Sequence, residues 1–228
     1  MENKDLDCEV LKDDFLQYDL SFKIIVIGDT SVGKSCLTMR ATKDYFENYY
    51  SPTVGFEFYT FNCRIQDQNI KLQIWDTCGQ EEYRSLIQNF YRNSSLAILV
   101  YAIDNRNSFD NLGVWLNEVK TQGSPDEKIF LIGNKLDLDN KRQVSYEEGE
   151  KFYNDNQLNL FLEASAKSNT NVQDIFINAA KILYKTQLQY TTRKGTNSST
   201  IKIPPSVCEE REMIIEEQTE RPRKKKCC

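Results

Sequence analysis

Apolar positions along the chain fall into short continuous or alternating runs, separated by stretches with a helical period. Phe22-Lys23-Ile24-Ile25-Val26-Ile27, Leu96-Ala97-Ile98-Leu99-Val100-Tyr101 and Ile129-Phe130-Leu131-Ile132-Gly133 are nearly unbroken apolar runs. That is the pattern of strands covered on both faces of a parallel sheet. Glu57 to Ile65 and Ile70 to Trp75 alternate instead, with Gln66-Asp67-Gln68-Asn69 between them, which predicts a β-hairpin at an antiparallel edge. Leu160-Phe161-Leu162-Glu163-Ala164 supplies the last strand. Helical stretches are predicted after the first strand to roughly Thr42, from Glu82 to about Arg92, and through Phe109, Leu112, Trp115, Leu116 and Val119. A fourth opens on Ser145-Tyr146-Glu147-Glu148, which has the form of a capping box. The last uses Val172, Ile175, Phe176, Ala179, Ile182 and Leu183. Strands alternating with helices predict an α/β fold: a doubly wound, mostly parallel six-stranded sheet with helices on both faces. Residues 21–187 are expected to form this domain. Residues 1–20, with seven acidic side chains, are expected to be a disordered arm, and 188–228, where the period disappears, a flexible tail.

Ligands of such sheets sit at the carboxyl ends of the strands, and the chemistry-bearing residues cluster there. Gly28-Asp29-Thr30-Ser31-Val32-Gly33-Lys34-Ser35 follows the first strand and leads into Cys36 and a helix. The spacing is G-x-x-x-x-G-K-S, a loop whose backbone N–H groups form an anion nest continued by the helix N-terminus. Asp29, Thr30, Ser31, Val32, Gly33, Lys34, Ser35 and Cys36 are therefore candidate nucleotide-binding residues. Lys34 can reach the β- and γ-phosphates, and the Ser35 hydroxyl can join a Mg²⁺ shell. Asp76, at the end of the third strand, suits Mg²⁺ held through water. Gly79 can offer an amide to the γ-phosphate, and Gln80 can orient an attacking water. Thr53, in the aperiodic stretch from Asp44 to Phe56, can give Mg²⁺ a hydroxyl and the γ-phosphate an amide.

The base is read at two further strand ends. Guanine presents N1–H and its 2-amino group as adjacent donors, and the carboxylate of Asp137 in Asn134-Lys135-Leu136-Asp137 accepts both. Adenine would leave that carboxylate unsatisfied, at a cost of about 1–3 kcal/mol. The Lys135 stem can cover the base, and Ser165-Ala166-Lys167 stands at the next strand end.

Composition narrows the field. A net charge of −5 argues against nucleic acid as a partner. The chain has no histidine, which removes His triads and His-containing zinc sites and leaves catalysis to positioning, a metal ion and charge. Seven irregularly spaced cysteines do not suggest a disulfide framework. No apolar run is long enough to span a bilayer, the acidic start is not expected to be a secretory leader, and Glu2 does not fit N-myristoylation.

Together the motifs resemble the Ras-like small GTPases over about residues 20–187. Gly28–Ser35, Thr53, Asp76-x-x-Gly79-Gln80, Asn134–Asp137 and Ser165–Lys167 match the family's five nucleotide motifs in order. The resemblance implies the small G domain of P-loop NTPases, GTP or GDP as ligand, Mg²⁺ as cofactor and slow GTP hydrolysis. It also implies that Phe46, seven residues before Thr53, stacks on guanine. Within the family the chain looks like a Rab: Val54-Gly55-Phe56-Glu57-Phe58, Lys71 to Thr77, Tyr83-Arg84-Ser85-Leu86 and Tyr91-Arg92 match effector-facing segments. Rabs place an effector-read aromatic trio where this chain has Phe58, Trp75 and Phe90. Cys78 stands where the family usually has alanine, Ala102 where an acidic residue is common, and Thr30-Ser31 where glycine is frequent.

The chain ends Arg221-Pro222-Arg223-Lys224-Lys225-Lys226-Cys227-Cys228. This resembles the Rab double-cysteine ending, which is geranylgeranylated on both residues. The resemblance thus implies a switch in vesicle trafficking at the cytoplasmic face of intracellular membranes, cycling with cytosol. Its implied partners are effectors, an exchange factor, a GTPase-activating protein, prenylation machinery and a GDP-dissociation inhibitor. Two alternatives stay open: a GTP-binding membrane scaffold in which Cys78 impairs hydrolysis, and a Ras-type signalling switch outside the Rabs.

Overall fold

The computed structural model describes residues 6–11, 17–47, 53, 55–79 and 90–194. Its strands are β1 (Cys8–Leu11), β2 (Leu20–Ile27), β3 (Phe56–Ile65), β4 (Gln68–Thr77), β5 (Leu96–Ala102), β6 (Lys128–Asn134) and β7 (Leu160–Glu163). They form one sheet in the order β1-β3-β4-β2-β5-β6-β7. β2, β4, β5, β6 and β7 run parallel, and β3 pairs antiparallel with both β4 and β1. The helices are α1 (Lys34–Lys43), α2 (Arg106–Asp110), α3 (Leu112–Gln122), α4 (Tyr146–Asp155) and α5 (Val172–Lys194), with a 3-10 segment at Leu136–Lys141. This is the doubly wound, mostly parallel α/β fold that the alternation predicts.

Unbroken apolar strands are buried throughout. Every residue of β5 is buried, and Ile24 to Ile27 at the centre of the sheet are at most 1% exposed. At roughly 1.5–3 kcal/mol for each fully buried aliphatic or aromatic side chain, these two strands contribute a sizeable share of the driving force. Trp115, Phe130 and Phe176 are among the large side chains of the core, with Phe176 of α5 stacked on Phe61 of β3 at 5.6 Å between centroids. The Ser145 capping box on α4 is complete: the Ser145 hydroxyl accepts from Glu148 N, and the Glu148 carboxylate accepts from Ser145 N.

Four expectations need correction. The sheet has seven strands, because Cys8–Leu11, in the segment expected to be a disordered arm, pairs with β3 in the register Cys8↔Ile65 to Leu11↔Asn62. Pairing covers part of an exposed sheet edge, and Glu9 meets Arg64 at 3.7 Å. The hairpin turn is Gln66-Asp67 alone, with Gln66 at φ 55°, rather than four residues. The helical stretch from Phe109 is two helices broken at Asn111. The last helix continues to Lys194, beyond the expected end of order near 188. Its end escaped the period because Leu188 and Tyr190 are exposed. Of the helix expected over 82–92, only residues 90 and onward are described. The chain divides into units Met1–Gln187 and Leu188–Cys228, and the sheet lies wholly in the first. Among the described residues no helix is long and apolar enough to cross a membrane.

Candidate functional site

β2 ends at Ile27 and hands the chain to the loop that precedes α1. Gly33, at φ 95°, begins α1 with no side chain capping the helix, so the first-turn amides point outward as donors. A Cβ at Gly33 would stand 2.3 Å from Asn134 Nδ2. The glycine thus lets β6 press against the loop, where Asn134 Nδ2 donates to Val32 O at 2.8 Å. Lys34 is 5% exposed, and its Nζ donates to Gly28 O at 2.9 Å and Asp29 O at 2.8 Å. Burial pushes its ammonium down to about 8, opposed by Asp76, Cys78 and Asp29. The charge is held on the floor of a cleft of about 350 Å³.

The middle of the cleft is built for a cation. Ser35 Oγ and Thr53 Oγ1 are 2.8 Å apart. Asp76 is fully buried, and among the described residues neither carboxylate oxygen has a hydrogen-bond partner. Burial pushes this carboxyl up to about 7, opposed by the Ser35 hydroxyl and the Lys34 ammonium. An unpaired buried carboxylate is costly, and two hydroxyls beside it are hard oxygen donors of the kind Mg²⁺ prefers. The residues fit the ion. Thr77 Oγ1 donates to Val26 O at 2.8 Å, fixing the end of β4 against β2. A Cβ at Gly79 would lie 2.4 Å from both Asp29 C and Thr30 N, so only glycine can rest so closely on the phosphate loop.

The far end suits a base. Lys135, at φ 69°, pairs with Asp104 at 3.5 Å. Asp137 Oδ1 accepts from Ser165 Oγ at 2.6 Å, and Ser165 Oγ accepts from Ser168 N at 3.0 Å. Asn134 Oδ1 is buried without a partner among the described residues, an acceptor in reserve for the ligand. Leu136 N donates to Ala164 O at 3.0 Å, tying the 3-10 segment to the end of β7.

Of the residues expected at the site, Thr30, Ser31, Gly33, Lys34, Ser35, Cys36, Phe46, Thr53, Gly79, Asn134, Lys135, Asp137, Ala166 and Lys167 line this one cleft. Asp76, Val32 and Ser165 stand buried behind its wall. The Asp29 side chain turns away from it, accepting from Trp115 and Asn111. Cys78 is 2% exposed between Thr77 and Gly79, and its amide donates to Gly55 O at 2.9 Å. Gln80, Val54, Cys227 and Cys228 lie outside the described residues.

Glu47, Thr77 and Leu138 also line the cleft and had no motif to announce them. Nor did Arg40, whose Nε donates to Ala166 O at 2.9 Å while Nη1 reaches Asp44 Oδ1 at 3.2 Å. Its guanidinium lies 5.8 Å from the Phe46 ring centroid. Arg142 grips Glu163 with two bonds of 2.6 and 2.8 Å, fastening the 3-10 segment to β7. Beside the cation end, Trp75 contacts Phe56, Phe58 and Phe90 at 5.3, 5.2 and 5.2 Å between centroids, and Phe56 meets Phe90 at 4.5 Å. Phe56 thus joins the expected trio. Phe56 and Phe58 are 40% and 39% exposed. A sequence model of the Ras family matches residues 23–185, well over half of the chain.

Proposed function

The chain belongs to the Ras family, and within it we propose a Rab-type switch that recruits effectors in vesicle trafficking. As a small GTPase of that family it binds GTP or GDP with Mg²⁺ and hydrolyses GTP to GDP. Family members act through effectors, exchange factors and activating proteins. The observation that carries the finer reading is the exposed aromatic cluster and its register with the cation site. On the β3–β4 ladder Phe58 stands opposite Trp75, and the next pair is Glu57 with Asp76. A change in how Asp76 meets Mg²⁺ and Gly79 a γ-phosphate would therefore be felt one residue pair away, in a surface a partner can read.

In this reading Lys34 and the loop amides hold the phosphates, Ser35, Thr53 and Asp76 hold Mg²⁺, and Gln80 positions the attacking water. When bound, Mg²⁺ supplies charge that stabilises the phosphate oxygens. Phe46 and Lys135 flank the base that Asn134 and Asp137 read. Cys227 and Cys228 carry prenyl groups, so the protein works at the cytoplasmic face of intracellular membranes and is extracted by a GDP-dissociation inhibitor.

Two measurements test this. Full-length protein loaded with a non-hydrolysable GTP analogue should retain proteins from a membrane extract that the GDP-loaded form does not, and Phe58→Ala should lose them while still binding GTP. Equal retention by both loaded forms would refute the switch. Mass spectrometry of protein purified from cells should find prenyl groups on both terminal cysteines, and unmodified cysteines would refute the Rab assignment.

A further inference from the structure

We infer that Asn111 and Trp115 are positioning residues of the phosphate loop, acting through the Asp29 carboxylate to slow nucleotide release. Asp29 places a negative charge inside a loop that must receive phosphates, and like charges a few ångströms apart repel. The fold turns that carboxylate away from the cleft and satisfies it with neutral donors. Trp115 Nε1 donates to Oδ1 at 2.7 Å, and Asn111 Nδ2 donates to Oδ2 at 2.7 Å. Hydrogen bonds to an ionised acceptor are among the stronger ones.

Both donors come from one helix. Asn111 is the residue before α3, makes no side-chain bond to the helix's own amides, and lies one turn from Trp115, on the same face. Trp115 is 1% exposed, so dense packing fixes its indole and leaves the N–H a single direction. The peptide after Asp29 is then held from three sides. Its carboxylate is bound by α3, its carbonyl accepts from Lys34 Nζ at 2.8 Å, and Gly79 packs against it without room for a Cβ. Glu118, further along α3, accepts from Tyr91 Oη at 2.9 Å, so the helix also anchors Tyr91. Without the α3 donors, the Asp29 carboxylate can swing toward the phosphates and the loop loses one of its three supports.

The test uses the full chain loaded with a fluorescent GDP analogue, with release followed after mixing with excess GDP. Trp115→Phe keeps an aromatic side chain, though a smaller one, and removes the donor, and should speed release about tenfold, the order expected from one charge-assisted bond. In an Asp29→Ala background the same substitution should change release by less than about twofold, because its acceptor is gone. Val119→Ala, buried on α3 one turn beyond Trp115 and with no side-chain donor to offer Asp29, should lower the melting temperature and leave release at the wild-type rate. Should Trp115→Phe not fold, Asn111→Ala makes the same test through Oδ2. Release at the wild-type rate in the donor variants, a full additive factor in the Asp29→Ala background, or equal acceleration by Val119→Ala would each overturn the inference.

Discussion

Replacing Ser165 with alanine removes one oxygen from the base-reading end of the cleft. Its Oγ donates to Asp137 Oδ1 at 2.6 Å and accepts from Ser168 N at 3.0 Å, and the residue is fully buried. The bond to the carboxylate is worth about 1.5–3 kcal/mol and the neutral bond about 0.5–1.5 kcal/mol. Both exist in the protein before any base arrives, so their loss falls first on folding. Taken together at about 2–4 kcal/mol, they should lower the melting midpoint by roughly 5–15 °C for a domain of this size.

Binding feels a smaller share. Asp137 is exposed, and among the described residues Ser165 is the side chain that orients it. Restoring that orientation when the base binds costs about 0.5–1.5 kcal/mol, so release of a fluorescent GDP analogue should quicken about twofold to tenfold. Preference for guanine over adenine should not move, because Asp137 remains. Stopped-flow release and a melt of the same GDP-loaded sample read the two effects separately. A lowered midpoint with unchanged release would show that Ser165 stabilises the loop without orienting Asp137. A changed base preference would show that Ser165 itself reads the base.

Burial pushes the Glu127 carboxyl up to about 7 from an ordinary 4.5, opposed by a hydrogen bond from Ser94. A carboxyl that titrates higher when folded stabilises the fold below its unfolded pKa and loses that contribution as pH rises through the folded one. Wild-type stability from urea unfolding should therefore fall between pH 5 and 8 by about 2–4 kcal/mol more than that of Glu127→Gln, which keeps the fall due to the likewise raised Asp76; parallel profiles would sink the assignment. Asp137→Asn should shift base preference from guanine toward xanthine, because an amide donates where the carboxylate accepted; competition between GTP and XTP measures it, and unchanged GTP preference would falsify the role. Cys78→Ala removes a buried sulfur beside Gly79 and should cost about 1 kcal/mol of stability while speeding single-turnover GTP hydrolysis; a wild-type rate would make the thiol a packing residue alone.

The parallel sheet was legible because its strands are apolar on both faces, and the lining of the candidate cleft because most of its motifs are contiguous and sit at strand ends. The misses have a different cause. Cys8–Leu11 is four residues with an acidic member, too short for a period, and it is a strand only because β3 offers it an edge. Asn111 breaks a helix whose apolar spacing runs on through it, so composition gives no warning. Arg40 and Trp115 reach partners 126 and 86 residues away along the chain. No local pattern encodes such a pairing; packing decides it. Cleft residues could therefore be named from sequence, while most of the side chains that brace them could not.

Among the described residues the bracing is uneven, and the unevenness matches what a switch requires. At the base end, Asn134 Nδ2, Ser165, Arg40 and Arg142 each make bonds that tie α1, β6, β7 and the 3-10 segment together. At the phosphate end, a fully buried carboxylate is left without a partner among the described residues. The contact from Ser35 to Thr53 is a single hydroxyl pair, and Cys78 N to Gly55 O is a single backbone bond. The bonds at the base end do not depend on a γ-phosphate. Sparse support lets that phosphate and its cation decide how the segments around Thr53 and Gly79 are held, because a ligand shifts an equilibrium only by its differential affinity for the two arrangements. The cost of burying Asp76 unpaired thus lies where a cation can relieve it, one ladder position from the aromatic pair of Phe58 and Trp75.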